Sequence, residues 1–437
     1  HLYRIIYTKM AAALKIGKGG LKMKIAVVGG GISGLSSALL LSSRYEVHLF
    51  ESESRLGGHA HTVQVDSGRE APVGVDTGFL VYNTLTYPHF TRFLDFLEVE
   101  TVGSDMTLSI KAPGGLEWAG TNLRTIFAQR RNLVSLSFLK MLGDILRFNR
   151  QAPYYLEKSR ENRWSLEDLL RYENFSKQFQ KLYLLPMTGA IWSMSYADAL
   201  RFPAETFLNF CLNHRLLQVN GRPAWRTIKG GSIQYVEKVR QRLANVHTSA
   251  PIDRIHKRGE KLVLHSGGSE VEFDKVVLAT HAPTTHGIIC QDFRELASEL
   301  SPLKVTRNQV DLHEDSSLMP QNKNCWSAWN VHAKESVRDR SDICLTYFLN
   351  KLQRLETNKQ HFVTLNSKQE LQTIQRRFQY DHPQFDFRAI DVQRRLPDLQ
   401  GRDNLYFAGA WTRYGFHEDG IQSAVNVAQV LGVEPAW

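Results

Sequence analysis

The sequence predicts an α/β fold: a Rossmann-type domain split along the chain, with an interleaved α+β domain. Three observations predict it. A short apolar run, Lys24–Val28, enters the turn Gly29-Gly30-Gly31-Ile32-Ser33-Gly34 and a helical pattern through Leu35, Ala38, Leu39 and Leu41. Far downstream, Asp274–Thr280 is again a strand ending in a small-residue turn. Near the end, Leu405–Phe407 delivers Gly409, and Glu418-Asp419-Gly420-Ile421 opens a last helix. Strand-type pieces at the start, middle and end require one sheet built from separated segments.

The first unit carries the most chemistry. Val47–Phe50 reads as a second strand and ends on Glu51, so the glycine turn sits in a strand–helix–strand frame. That frame turns G-x-G-x-x-G from a weak motif into a dinucleotide fingerprint. Gly29 permits the tight turn, Gly31 leaves room for a pyrophosphate on the helix N-terminus, and Gly34 lets helix and strand approach closely. Glu51 stands where a carboxylate accepts hydrogen bonds from ribose hydroxyls. A purely structural glycine turn is the bland alternative.

The residues just after Glu51 select the dinucleotide. Arg55-Leu56-Gly57-Gly58-His59 resembles the E-x3-R-x-G-G stretch of the amine oxidase and phytoene desaturase flavoproteins. The resemblance implies FAD, with Arg55 at phosphate and the glycine pair close to the flavin. It further implies an aliphatic residue, Ile252, offering its backbone to the adenine, and a closing motif at Gly409 and Asp419-Gly420-Ile421 aimed at the flavin. Where that family carries Arg after the glycine pair this chain has His59, and where it carries an acid after the closing glycine it has Ala410. The cofactor is therefore assigned to Gly29, Gly31, Ile32, Ser33, Gly34, Glu51, Ser52, Arg55, Gly57, Gly58, His59, Gly78, Phe79, Ile252, Gly409, Ala410, Asp419, Gly420 and Ile421, with no metal.

Further phrases narrow the resemblance. Val75-Asp76-Thr77-Gly78-Phe79, Phe127-Ala128-Gln129-Arg130-Arg131-Asn132, Trp326-Ser327-Ala328-Trp329-Asn330 and Tyr414-Gly415-Phe416-His417 are similar to a mainly bacterial group of NAD/FAD-binding oxidoreductases with an amine-oxidase domain. The resemblance runs over nearly all of residues 24–433. It implies an FAD-binding domain from 23–118, 225–290 and 395–437, and a substrate domain from 119–224 and 291–394.

Composition bounds the partners. The net charge of +10 is concentrated: residues 1–24 hold Arg4, Lys9, Lys15, Lys18, Lys22 and Lys24 without an acid, and residues 121–163 are also strongly basic. The remainder is slightly acidic, which argues against a nucleic-acid surface. Residues 1–22 are set outside the fold, as translated upstream sequence or, alternatively, a targeting peptide. Cys211, Cys290, Cys325 and Cys344 have neither metal nor redox spacing, so free thiols and a cytoplasmic location are expected. Ser137–Arg150 reads as a basic amphipathic helix, suited to a membrane surface or, by the plainer reading, to packing on the substrate domain. Oligomeric state is not legible.

His61 and His417 are the candidate catalytic residues, against the plainer reading of hydrogen-bonded packing. His59 could in addition polarise the flavin or carry it covalently. Trp192, Trp225, Trp326 and Trp329 either line an apolar cavity or fill a core. The leading functional expectation is a dehydrogenase or desaturase passing hydride from carbon to flavin N5, acting on a small, lipid-like molecule. The alternatives are an amine oxidase and a redox-neutral flavin-dependent isomerase.

Overall fold

A computed structural model describes residues 22–218, 221 and 223–437, so the leader at 1–22 lies, but for Lys22, outside the described residues. Its centre is a five-stranded parallel sheet in the order Asn245–His247, Glu46–Phe50, Lys24–Val28, Lys275–Leu278, Leu405–Phe407. The strands are apolar on both faces because both faces are covered. Ile25, Val27, Leu49, Val277 and Tyr406 point into one core with the helix Ile32–Leu41 and the last helix His417–Val430. Ala26, Val28, Phe50, Val276, Leu278, Leu405 and Phe407 point into the opposite core. A three-stranded antiparallel sheet, Arg254–Arg258, Lys261–Ser266 and Ser269–Phe273, adds Ile255, Leu262 and Leu264 to that second core.

The second domain is built on a seven-stranded sheet. Its order is Ile374–Gln384, Lys304–His313, Phe362–Leu365, Cys344–Phe348, Trp329–His332, Leu108–Ala112, Leu116–Ala119. Two of the expected domain boundaries shift accordingly. The hairpin Leu108–Ala119, assigned by sequence to the first domain up to residue 118, pairs with Trp329–His332 in this sheet. Helix Phe387–Leu399, cut by sequence at 394, packs Ala389, Val392, Leu396 and Leu399 against the parallel sheet, as does helix Arg294–Leu300. Periodicity identifies such elements but does not say which of two apolar cores they face.

The Val75–Phe79 phrase joins the domains. Asp76 is fully buried and accepts from Thr62 Oγ1 at 2.6 Å, from the Ser232 amide and hydroxyl at 2.9 and 2.7 Å, and from Gln353 Nε2 at 3.0 Å. A buried carboxylate is tolerable only with such a donor set.

The amphipathic segment is part of a longer helix, Leu136–Asn162. Phe138, Met141 and Phe148 are core, whereas Leu139 and Leu146 of the supposed apolar face are exposed. Arg147 is not free for a lipid headgroup: it bonds Asp144 at 3.2 Å and the Glu173 carbonyl at 3.0 Å, and covers the Phe175 ring at 4.1 Å. Among the described residues no helix is long and apolar enough to cross a membrane. All four cysteines are free thiols.

The helix Ile32–Leu41 reaches the sheet only because Gly34 lacks a side chain: a Cβ there would overlap the Gly29 carbonyl oxygen. Gly34→Ala is expected to cost about 1–3 kcal/mol of stability, the scale of forced overpacking. An unchanged thermal midpoint in that variant would show that the contact carries no such constraint.

Candidate functional site

A cavity of about 770 Å³ opens where the carboxyl ends of the parallel strands meet the second sheet, a size proper to a cofactor site. The fingerprint forms its floor. Gly29, at φ +106°, lies against the Ala279 carbonyl, where a Cβ would come within 2.7 Å. A Cβ on Gly31 would meet nothing within 4 Å, so the space before it is open. Ile32 and Ser33 border the same space with the first turn of their helix. Gly57 donates to the Gly30 carbonyl at 2.8 Å, and Gly58 sits so near Gly31 that a Cβ on it would be 3.1 Å from Cα. Gly78 is required beneath His59, whose carbonyl a Cβ would overlap.

Glu51 ends its strand as expected and borders the cavity with Ser52. Its carboxylate also organises the loop, accepting from the Gly30 amide at 2.6 Å, the Glu53 amide at 2.8 Å and Ser52 Oγ at 3.0 Å. Arg55 is tied to the Gly58 carbonyl at 2.9 Å and to Glu53 at 3.1 Å, so it braces the glycine pair while lining the cavity. Phe79, Ile252, Gly409 and Ala410 complete the lining on this side.

The last helix brings a second N-terminus to the cavity. Gly420 packs on the fingerprint helix, where a Cβ would be 2.8 Å from both Ile32 and Ser33. Asp419 accepts from the Phe416 amide at 2.9 Å and so caps its own helix; burial pushes its carboxyl up to about 7. Ile421 is core. Gly34, Asp419, Gly420 and Ile421 position the two helices and lie behind the cavity lining. Two partial positive helix ends facing one open space fit a dinucleotide phosphate and the electron-rich edge of a flavin.

The histidines divide. His61 lies outside the cavity lining, with Nδ1 2.8 Å from the Tyr380 hydroxyl, and burial lowers it to about 4. His417 borders the cavity, stacks on Phe79 with centroids 3.6 Å apart, and meets the Tyr235 hydroxyl at 3.1 Å; burial lowers it to about 3. His59 faces the cavity beside two histidines that sequence reasoning missed, His281 at 5.8 Å and His382 at 5.3 Å between ring centroids. Nε2 of His59 is buried without a hydrogen-bond partner among the described residues. Burial, then the neighbouring His382 and His281, hold His59 well below the ordinary imidazole range, and burial lowers His382 to about 4. His281 directly follows the Ala-Thr turn at the end of its strand, and that position was the available signal.

The far end of the cavity is aromatic. Trp192, Trp225, Trp329, Tyr347, Phe210, Tyr414 and Phe416 line it, and Trp329 meets Tyr347 edge to face at 4.9 Å. Trp326 does not line it; its Nε1 donates to the Pro320 carbonyl at 2.7 Å. The charged lining side chains are Glu51, Glu53 and Arg55 beside the fingerprint and the paired Arg307 and Asp381, 2.9 Å apart.

The family model described as flavin containing amine oxidoreductase matches residues 32–320. The chain is 27% identical over 280 residues to a 4,4'-diapolycopen-4-al dehydrogenase of Metabacillus indicus; the match covers 59% of this chain and 55% of that one, so the chain spans about half the length of that relative. In structure it is similar to a CLA-producing fatty acid isomerase from P. acnes, with a TM-score of 0.68 and 13% identity over 95% of this chain and 100% of that one. It is likewise similar to cyclohexylamine oxidase from Brevibacterium oxydans IH-35A, with a TM-score of 0.67 and 13% identity over 94% of this chain and 100% of that one. At such identity the two structures speak for the fold alone.

Two measurements test this geometry. Gly31→Val should fold with an unchanged thermal midpoint in the absence of flavin yet lose FAD, because only the ligand occupies the space its side chain would take. Retained FAD in that variant would remove the fingerprint assignment. The second measurement concerns pH. In the unfolded chain a histidine titrates near about 6.5, whereas His61 and His382 titrate at about 4 and His417 at about 3 in the fold. The unfolded chain therefore binds more protons below about pH 6.5, and stability falls as pH drops from there toward 4. Asp419, with a folded value of about 7, acts oppositely, as do Asp76 and Glu418, raised by burial, but His214 and His332, also lowered to about 4, add to the imidazole side. A melting temperature that is flat from pH 7 to 4.5 would contradict neutral buried imidazoles.

Proposed function

Because the chain belongs to the flavin containing amine oxidoreductases, FAD-dependent enzymes, we propose that it is a dehydrogenase or desaturase acting on a small, extended, lipid-like molecule. The observation that supports this reading is the uncharged aromatic half of the cavity. An ammonium substrate would leave water, at a cost of several kcal/mol, for a wall with no carboxylate, where ring faces return only about 0.5–2 kcal/mol each. An apolar chain gains about 25 cal/mol per Å² on the same wall. When bound, FAD supplies the two-electron acceptor, with hydride received at N5. The chain's part is to orient the substrate between the aromatic side chains, to exclude water, and to handle the proton that leaves when a carbon–carbon double bond forms. His59 is the candidate for that proton, as a neutral imidazole facing the cavity with His382 and His281 beside it. His417 serves as a packed wall residue.

The test is anaerobic mixing of the purified yellow holoenzyme with polyenes, unsaturated fatty acids and amines. Bleaching of the flavin by polyenes or acyl chains is expected; bleaching by amines alone would overturn the reading. An isomerised product with the flavin left oxidised would point to the redox-neutral alternative instead. Trp329→Ala should weaken binding of the reacting substrate by about 2 kcal/mol, the scale of one large apolar contact, and leave FAD content unchanged.

A further inference from the structure

The chain between the hairpin Leu108–Ala119 and the long helix Leu136–Asn162 turns its apolar residues outward. Leu123 is 73% exposed, Leu133 52%, Val134 82% and Leu136 83%, and Leu139 and Leu146 continue the patch along the outer side of the helix. The inner side of that helix is already buried through Phe138, Met141 and Phe148, so the exposed leucines are not a core face lacking its cover. A short 3-10 turn, Arg130–Leu133, lifts Leu133 and Val134 clear of the domain, and Ser135 caps the helix that comes next. An apolar patch of this kind on a protein surface marks a contact site.

The charges around the patch say what covers it. Arg124, Arg130 and Lys140 are exposed within it, and so is Arg131, which spends one guanidinium nitrogen on the Gly115 carbonyl at 2.7 Å. From residue 118 to 143 the chain holds no acid. The two acids that bracket the stretch are turned inward: Glu117 accepts from the Gln321 and Asn322 amides at 2.8 and 2.9 Å, and Asp144 accepts from the Ser176 amide at 3.0 Å. The first turn of the long helix, a partial positive end without an acidic residue, opens on the same face. Protein interfaces favour aromatic anchors with charges of both signs at the rim. Exposed aliphatic side chains among cations alone are the composition of a surface that lies on anionic lipid.

We propose that this face docks on an anionic membrane surface, with Leu133, Val134 and Leu136 entering the acyl boundary and Arg124, Arg130, Arg131 and Lys140 meeting headgroup phosphates. The docking face stands independently of the substrate reading, since it shares no residue with the cavity.

The experiment is co-sedimentation of the full chain with vesicles of phosphatidylcholine alone and of phosphatidylcholine mixed with phosphatidylserine. Binding to the mixed vesicles at low salt is expected, fading as salt rises, with little binding to phosphatidylcholine alone. Val134→Asp with Leu136→Asp should lower the partition coefficient about tenfold or more, since about 1.4 kcal/mol is a factor of ten and one buried leucine is worth at least that. Both positions are exposed, so flavin content and melting temperature should not change. Replacing Arg124, Arg130 and Arg131 with glutamine should flatten the salt dependence. No binding by the wild type, or full binding by the double variant as expected if the basic residues 1–22 do the work, would overturn the proposal. A concentration-dependent dimer abolished by the same two aspartates would assign the face to a second copy of the chain instead.

Discussion

The site depends on one constraint: two helices must bring their N-termini to the same open space, and they can do so only where backbone touches backbone. Gly34 lets the first helix settle on the Gly29 carbonyl, and Gly420 lets the last helix settle on Ile32 and Ser33. These two contacts lie outside the cavity, yet they decide its electrostatics. An added methyl at either would push a helix end away, and with it the partial positive charge that an anionic dinucleotide meets. The chain uses its bare positions for packing as well as for ligand space, and the two uses are separable. A Cβ on Gly31 meets only emptiness, whereas a Cβ on Gly34 meets protein.

A second consequence concerns the imidazoles. His59, His281 and His382 come together from the fingerprint side, from the end of the middle strand and from the second sheet. Each is held below its ordinary value, with burial as the largest cause. Neighbouring imidazoles add to burial at His59 and at His382, whereas Asp381 opposes it at His281 and at His382. The cluster stays neutral at neutral pH, and the positive contributions beside the fingerprint are the helix N-termini and Arg55. A neutral imidazole can accept a proton during oxidation of a carbon centre, which a permanently charged arginine after the glycine pair could not do.

The fingerprint, Glu51, the glycine pair and the closing strand were legible in the sequence because each is a local pattern with a local physical cause. The histidine cluster was not. His59 and His382 are brought together by the seven-stranded sheet, and no periodicity reports a pairing over that separation. His61 looked equivalent to His59 because both lie just beyond the glycine pair. The turn at 58–59 breaks that equivalence: His59 borders the cavity, whereas His61 lies outside its lining with Nδ1 on the Tyr380 hydroxyl. Assigning elements to a domain meets a related obstacle. The hairpin Leu108–Ala119 and the helix Phe387–Leu399 are sound elements by pattern, and only the tertiary fold says which core takes them. The amphipathic reading of Ser137–Arg150 places Phe138, Met141, Leu142, Ile145 and Phe148 on the packed face, and misses only that Leu139 and Leu146 turn outward, since period alone does not fix the width of a buried face.

The charge distribution inside the cavity carries the functional argument further than the fold does. The same framework is shared with structures named for an isomerase and for an amine oxidase, and a fold hosts many chemistries. The wall is where such chemistries differ. Here the charged side chains stay beside the fingerprint or neutralise each other as Arg307 and Asp381, and the opposite end offers rings. Trp329 Nε1 is a polar donor in that wall, buried without a partner among the described residues. A wholly apolar chain would leave this donor unsatisfied at about 1–3 kcal/mol. A substrate with a single oxygen on an otherwise apolar body would satisfy it and still gain the aromatic contact.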